Sequence, residues 1–486
     1  MRRTPSYVLS LLLLAAPTFS QQADAVQDTT AGLVETGLPD STISPPDSAA
    51  PVISTSLAER YRANANRLIQ SALADSFAYR RLAVLVDTFG PRFAGTQSLE
   101  DAIDWILAQM RSDNLENVHG ETVMVPRWVR GEESAELLVP RKQMLDFIGL
   151  GGSVGTPRKG ITERALVVNS FSDLQAKADQ ARSRIVVYNV PFTNYGETVN
   201  YRWAGASEAA KVGAVASLVR SVTPLAMAEP HTGSMGYEEG VRRIPHGAIT
   251  VEDALLLQRM QDQGEDIVIR LKMGAHFRTD TPSRNVVAEI VGRELPEEVV
   301  VIGGHIDSWD VGQGAMDDGG GCVATWEVVR LLHQLNLRPR RTIRVVLWTN
   351  EEIGLSGGRT YKTEHEAELE NHILAIESDY GVFKPEAFTF TGSPEALGIL
   401  REIASLLESI GPISVVEGGG GADISPMTKV GVPGMGLNAS GDKYFWYHHT
   451  NADTFDKLDP HELNLCVAAL AVMAYVVADM PDRLPR

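Results

Sequence analysis

The residues best suited to chemistry cluster behind a few apolar runs. His305 and Asp307 follow VVIGG, Glu351 and Glu352 follow VVLWTN, Asp379 follows ILAIES, Asp317 sits in AMDDGGG, and His448 and His449 lie in YFWYHHTNADTF. Imidazole nitrogen and carboxylate oxygen are ligands that zinc accepts in catalytic sites, where one position stays open for water or substrate. So many such groups suit two ions sharing a carboxylate, about 3.5–4 Å apart, better than one ion. On that reading Asp317 is the bridge, Glu352 and His449 complete one site, and His305 and Asp379 complete the other. His448 competes with His449 on spacing alone. Glu351, beside a ligand but pointing elsewhere, is then the general base, taking a proton from water and later delivering one to a leaving amine. Asp307, two residues after His305, is placed to accept the second ring N–H of His305 and fix its tautomer.

Each motif alone has an ordinary reading: a histidine in a core, a solvated Glu pair, a turn of Asp and Gly. Their shared position is what makes them a set. From about residue 285 the order runs strand (EEVVVIGGHID), helix (GCVATWEVVRLLHQL), strand (RTIRVVLWT), helix (LSGGRTYKTEHEAE), strand (HILAIESD). That order predicts an α/β fold with a mixed, largely parallel central sheet and helices on both faces. Ligands of such sheets bind outside the carboxyl ends of the strands, where these side chains would converge. Cys322 falls one turn into a helix and is left out of the ligand set. With Cys466 it makes only two cysteines, so no disulfide framework is in use. The apolar segment Leu465–Ala478 is short for a membrane span and reads as a buried helix on the sheet.

Upstream, residues 151–280 change texture to short apolar runs (ALVVNS, RIVVYNV, AVASLVRS, HGAIT, DIVIRLKM) between Gly and Pro, broken by the helices GASEAAKVGA and VEDALLLQRMQDQ, the second capped by Thr250. This reads as a compact β-rich insertion between residues 56–150, the helical first part of the main domain, and residues 281–486. In the first part, LAERYRANANRLIQSALADSFAYRRLAVLVDTF has helical spacing and SLEDAIDWILAQMRS opens a second helix at Ser98. Residues 26–55, rich in Ser, Thr, Pro and Asp, read as a linker. Residues 1–25 have the basic, apolar and small-residue order of a signal peptide, which predicts a secreted or periplasmic protein. The apolar run there, about a dozen residues, is short against the roughly 20 of a stable membrane anchor. The 486 residues carry a formal charge of -18, which argues against nucleic acid as a partner.

The stretches GGHIDSWDVGQGAMDDGGG, LRPRRTIRVVLWTNEE, ESDYGVF, FTGS, GVPG and YFWYHHT, with RWAGASEAAKVGAVASLVRS and HTGSMGY earlier, resemble the co-catalytic zinc peptidase family of aminopeptidases and glutamate carboxypeptidases from about residue 56 to the end. The resemblance implies a zinc exopeptidase fold, two zinc ions per chain held by His305, Asp317, Glu352, Asp379 and His449, and Glu351 as base. The family's His-then-Ser/Thr pattern favours His449 over His448. The insertion resembles a protease-associated domain, and the family implies a homodimer. It implies hydrolysis of dipeptides or short peptides with a free N-terminus, with glutamate-type carboxypeptidase activity as the alternative. Asp423, in EGGGGADIS, is a candidate partner for a substrate ammonium. Tyr444–Tyr447 are candidates to line a side-chain pocket, and Tyr447 and His448 to touch substrate. A turn acid and core aromatics are the equal alternatives for these. A non-catalytic receptor-like protein of the same fold is disfavoured by the full ligand set. A one-zinc cyclase acting on N-terminal glutamine is disfavoured by the bridging Asp317.

Overall fold

Alternating apolar residues let one strand serve two cores. In the strand Leu295–His305, Val300 and Ile302 join a large core on one face while Val299 and Val301 join a smaller one on the other. That arrangement recurs through the main sheet of a computed structural model, which describes residues 56–486 except residue 442. The expected signal peptide and linker lie outside the described residues.

The main sheet has eight strands in the order Glu116–Val129, His276–Ile290, Arg341–Trp348, Leu295–His305, His372–Glu377, Gly434–Ala439, Pro385–Thr391, Ser414–Glu417. Its centre, from Arg341–Trp348 to Gly434–Ala439, is parallel, and the two strands at the Glu116 side are antiparallel. The large core is closed by helices Leu57–Ala74, Phe77–Phe89, Gln97–Ser112, Gly320–Gln334 and Pro460–Asp479. Helix Pro460–Asp479 is long and apolar enough to cross a membrane by composition, yet 89% of its apolar window is buried among these elements. Helix Ser356–Glu364 covers the opposite face, with Tyr361 packed edge-on to Trp348.

The helical start differs in detail from expectation. The first apolar stretch breaks at Asp75–Ser76 into two helices, the first held by a reciprocal Ser56–Glu59 capping box. The next helix begins at Gln97 with Thr96 as its cap, and Ser98 donates instead to the Phe89 carbonyl.

A second eight-stranded sheet, also mixed, runs Gln143–Leu145, Glu133–Val139, Val268–Met273, Ile161–Val168, Ile185–Tyr188, Ala216–Arg220, His246–Ile249, Phe147–Gly149. It takes three strands from before residue 151. The short apolar runs fall on its strands, and Thr250 caps helix Val251–Asp262 by accepting the Asp253 N–H. Helix Tyr195–Lys211 packs on it.

At the end of Leu295–His305 the sheet and helix Gly320–Gln334 meet with no room to spare. A Cβ on Gly304 would lie 2.2 Å from Asp318 Oδ2 and 3.1 Å from the Cys322 nitrogen. Gly304→Ala is expected to destabilise the fold by about 1–3 kcal/mol through overpacking, read as a lower urea midpoint. An unchanged midpoint would mean that the approach is slack.

Candidate metal centre

The strand ends carry the chemistry because the parallel strands all run toward one edge of the sheet. His305 is the last residue of its strand, Glu351 and Glu352 follow Arg341–Trp348, and Asp379 follows His372–Glu377. Asp317 comes from the turn Ala315–Gly319 ahead of helix Gly320–Gln334, and His449 from the loop after Tyr444–Tyr447. The fold brings all five together. His305 Nε2 lies 3.1 Å from Asp317 Oδ1 and 3.2 Å from Asp379 Oδ1. His449 Nε2 lies 3.3 Å from Asp317 Oδ2 and 3.2 Å from Glu352 Oε2. His448, stacked on His449 with ring centres 3.4 Å apart, reaches only Asp317 Oδ2, at 3.6 Å.

The surroundings orient these ligands. His305 Nδ1 pairs with the backbone carbonyl of Asp307 at 2.9 Å, which leaves Nε2 for the centre. The expected partner was the Asp307 carboxylate, and this is corrected: it lies 3.9 Å away because it accepts the N–H groups of Glu351 at 3.0 Å and Glu352 at 3.4 Å. Asp307 thus fixes the adjacent Glu pair through its side chain and His305 through its main chain. His449 sits at φ +62, a left-handed conformation uncommon for a non-glycine residue. Thr232, from the region of the second sheet, holds it there: its N–H donates to the His449 carbonyl at 3.0 Å, and its carbonyl faces His449 Nδ1 at 3.3 Å.

Several positioning residues were missed in the sequence. Asp453 accepts the N–H groups of Ala315, Met316 and Asp317, tying the His449 loop to the Asp317 turn. Burial, with the Asp317 charge, pushes its carboxyl up to about 7. Asp318 accepts the His305 and Gly321 N–H groups. Arg92 gives its guanidinium to the carbonyls of Gly90, Ile306, Gln313 and Gly314. The neighbouring Asp in DDGGG and the Asp in NADTF were the only available signals; Arg92 had none.

Of the substrate candidates, Asp423 is fully buried with neither carboxylate oxygen hydrogen-bonded. Burial, then the Glu377 and Glu351 charges, hold its carboxyl well above the usual range. Tyr447 packs toward the large core, with Trp446 and the Lys457 ammonium as its ring neighbours. The rings around His448 are instead Tyr444, Phe445 and Tyr195.

So many acids out of water are costly unless cations compensate them. For Glu351, burial raises the carboxyl well above its usual range, with Asp379, Asp307 and Asp317 adding to it against His305. Glu352 is raised likewise, by burial and then Asp317. For Asp317, burial is outweighed by the adjacent imidazoles of His305, His449 and His448, and the carboxyl lies well below its range. The donor set fits a metal. Asp317 Oδ2 and Glu352 Oε1 are buried without a hydrogen-bond partner. Donors about 2.0–2.1 Å from a tetrahedral zinc lie about 3.3 Å from one another, close to the His–carboxylate spacings above.

Residues 285–474 match the family described as Peptidase family M28. Carboxypeptidase Q of Xenopus laevis is 52% identical over 413 residues, 85% of this chain and 88% of that protein. Carboxypeptidase Q of Homo sapiens is 50% identical with the same coverage. The crystal structure of a Peptidase M28 precursor from Shewanella amazonensis SB2B superposes with a TM-score of 0.85 at 37% identity, covering 88% of this chain and 98% of that one. The zinc aminopeptidase BSAP from Bacillus subtilis, at 20% identity and a TM-score of 0.63 over 83% of this chain and 94% of that one, shares the fold. With half of the residues identical over most of both chains, and histidines and acids gathered at the strand ends, the chain belongs to peptidase family M28 and is a zinc-type metallopeptidase homologous to carboxypeptidase Q.

Proposed function

We propose that the protein is an exported di-zinc exopeptidase that hydrolyses dipeptides or short peptides bearing a free N-terminus. The observation that carries this reading is that the two oxygens of one carboxylate, Asp317, face different histidines, each with a second carboxylate of its own. Two ions sharing Asp317 would thus each gain one imidazole and one further carboxylate: His305 with Asp379, and His449 with Glu352. Zinc so held supplies charge that polarises the scissile carbonyl and eases ionisation of water at neutral pH.

The chain's own groups do the rest. Glu351 accepts a proton from the attacking water and returns it to the leaving nitrogen. Asp307 keeps that base and its ligand neighbour Glu352 in register through their two N–H groups. The buried Asp423 carboxylate, near enough for its charge to act with Glu351, is the candidate partner for the substrate ammonium. The unit of the second sheet, which runs from Glu133 to Met273, is read as a protease-associated domain roofing the cleft, and the working form as a homodimer. Relatives named carboxypeptidase keep the opposite direction of attack as the alternative.

Glu351→Gln is expected to keep two zinc ions per chain by metal analysis while losing about 10²–10⁴-fold in kcat; near-normal turnover at full metal content would remove the base assignment. N-acetylating a dipeptide substrate should lower kcat/KM on the order of a hundredfold or more, whereas indifference to that block would favour the carboxypeptidase reading. Expression with the full leader should yield protein outside the cytoplasm, cut near residue 20–25 and of twice the chain mass by light scattering. An uncut or monomeric product would count against export or dimer respectively.

A further inference from the structure

The chain crosses between the sheets after Val129 and again after Met273, and the crossings lie side by side. Residues 130–132 lead from strand Glu116–Val129 of the main sheet into Glu133–Val139 of the second, and residues 274–275 lead from Val268–Met273 back into His276–Ile290. Gly274 donates its N–H to the Glu132 carbonyl at 2.9 Å. Gly131, at φ +69, leaves no room for a side chain, because a Cβ there would fall 2.9 Å from the Gly274 carbonyl carbon. Links gathered at one point make a hinge unless other contacts span the gap.

Arg130 spans it. Its guanidinium grips the Asp310 carboxylate as a fork, with Nε on Oδ2 at 2.8 Å and a terminal nitrogen on Oδ1. That terminal nitrogen also lies 3.4 Å from Thr232 Oγ1, and the other donates to the Gly149 carbonyl. Thr232 Oγ1 donates to the same Gly149 carbonyl at 2.9 Å. Asp310 belongs to the segment joining His305 to Asp317, whose start is fixed to the main sheet: the Ile306 N–H donates to the Trp348 carbonyl at 2.7 Å and the Ser308 N–H to the Arg92 carbonyl at 3.2 Å. Thr232 is fully buried, and its main chain meets both the carbonyl and Nδ1 of His449. One guanidinium therefore connects the strand end that carries His305 to the residue that holds His449. Trp309, next to Asp310, closes the gap with apolar contact. Its buried ring joins the core of the second sheet and stands 5.4 Å from the His449 ring, and a Cβ on Gly151 would run into it.

We propose that Arg130 is a positioning residue for the ligand His449, an inference that rests on the di-zinc reading above. By tying Thr232 to Asp310 it fixes the separation of the two imidazoles that Asp317 faces, and it acts through Thr232 rather than at the metal. His305 needs no such support, since its own strand and the Asp307 carbonyl aim it. Loss of Arg130 thus loosens the ion held by His449 and Glu352 and spares the ion held by His305 and Asp379.

The test is zinc affinity, measured on the metal-free full chain by competition with a chelator. Arg130→Met should weaken one of two ions by about 10–100-fold and leave the other nearly unchanged, and Arg130→Lys should recover part of the loss. Arg130→Met also leaves Glu133, 3.7 Å away, without its cation, so Asp310→Asn is the second variant and should weaken the same ion by less. In a His449→Ala background Arg130→Met should cost no further affinity, because both changes act on one imidazole. An equal loss at both ions, a loss that persists beside His449→Ala, or full affinity in both Arg130→Met and Asp310→Asn overturns the proposal. If Arg130→Met does not fold, Asp310→Asn carries the same comparison with His449→Ala. A wild-type chain that bound a single zinc would defeat the di-zinc reading, while the comparison with His449→Ala would still judge Arg130.

Discussion

The structure is organised around one carboxylate that faces two histidines. Asp317 occupies a turn held on three successive N–H groups by Asp453, so its position is set by the backbone rather than by its own side-chain freedom. Around it the sheet delivers His305, Glu352 and Asp379 from strand ends, and a loop delivers His449. This concentration of buried acid is tolerable only with positive charge among it. The close glycine contacts at Gly304 and the capping by Asp318 follow from packing helix and strand against so small a volume.

The parts of this arrangement that repeat along the chain could be read from it. Apolar runs ending in His or acid, separated by helical spacing, prescribe a parallel sheet and point to its carboxyl edge. His305, Asp317, Glu352 and Asp379 were therefore legible as a set, and Asp307 as their neighbour. What the sequence concealed are roles carried by backbone groups. His305 is oriented by the Asp307 carbonyl rather than its carboxylate, and His449 by the main chain of Thr232, more than 200 residues away. Arg92 engages carbonyls brought to it only by the finished fold. Such partners have no residue-type signature, because any residue carries a carbonyl.

The second sheet was visible as a change of texture, but its extent was not. Glu133–Val139, Gln143–Leu145 and Phe147–Gly149 join it from what read as the preceding segment; the last two are edge strands of three residues each, which give too few alternations to assign. Its relation to the catalytic layer was hidden as well. Tyr195 and Thr232 come from this part of the chain and reach the histidine loop, with Arg202 donating to both, and Thr223 adds a hydrogen bond to the Phe445 carbonyl at 2.7 Å.

The pairing of Thr232 with His449 sets a mechanical condition on the enzyme. A hinge that swung the second sheet away from the first would pull out the two contacts that keep His449 in its left-handed conformation, and with them the aim of its imidazole. Movement between the two sheets and the aim of that imidazole are thereby opposed. The second sheet therefore acts on the centre as the support of one imidazole, and a change in what holds Thr232 would be felt at His449.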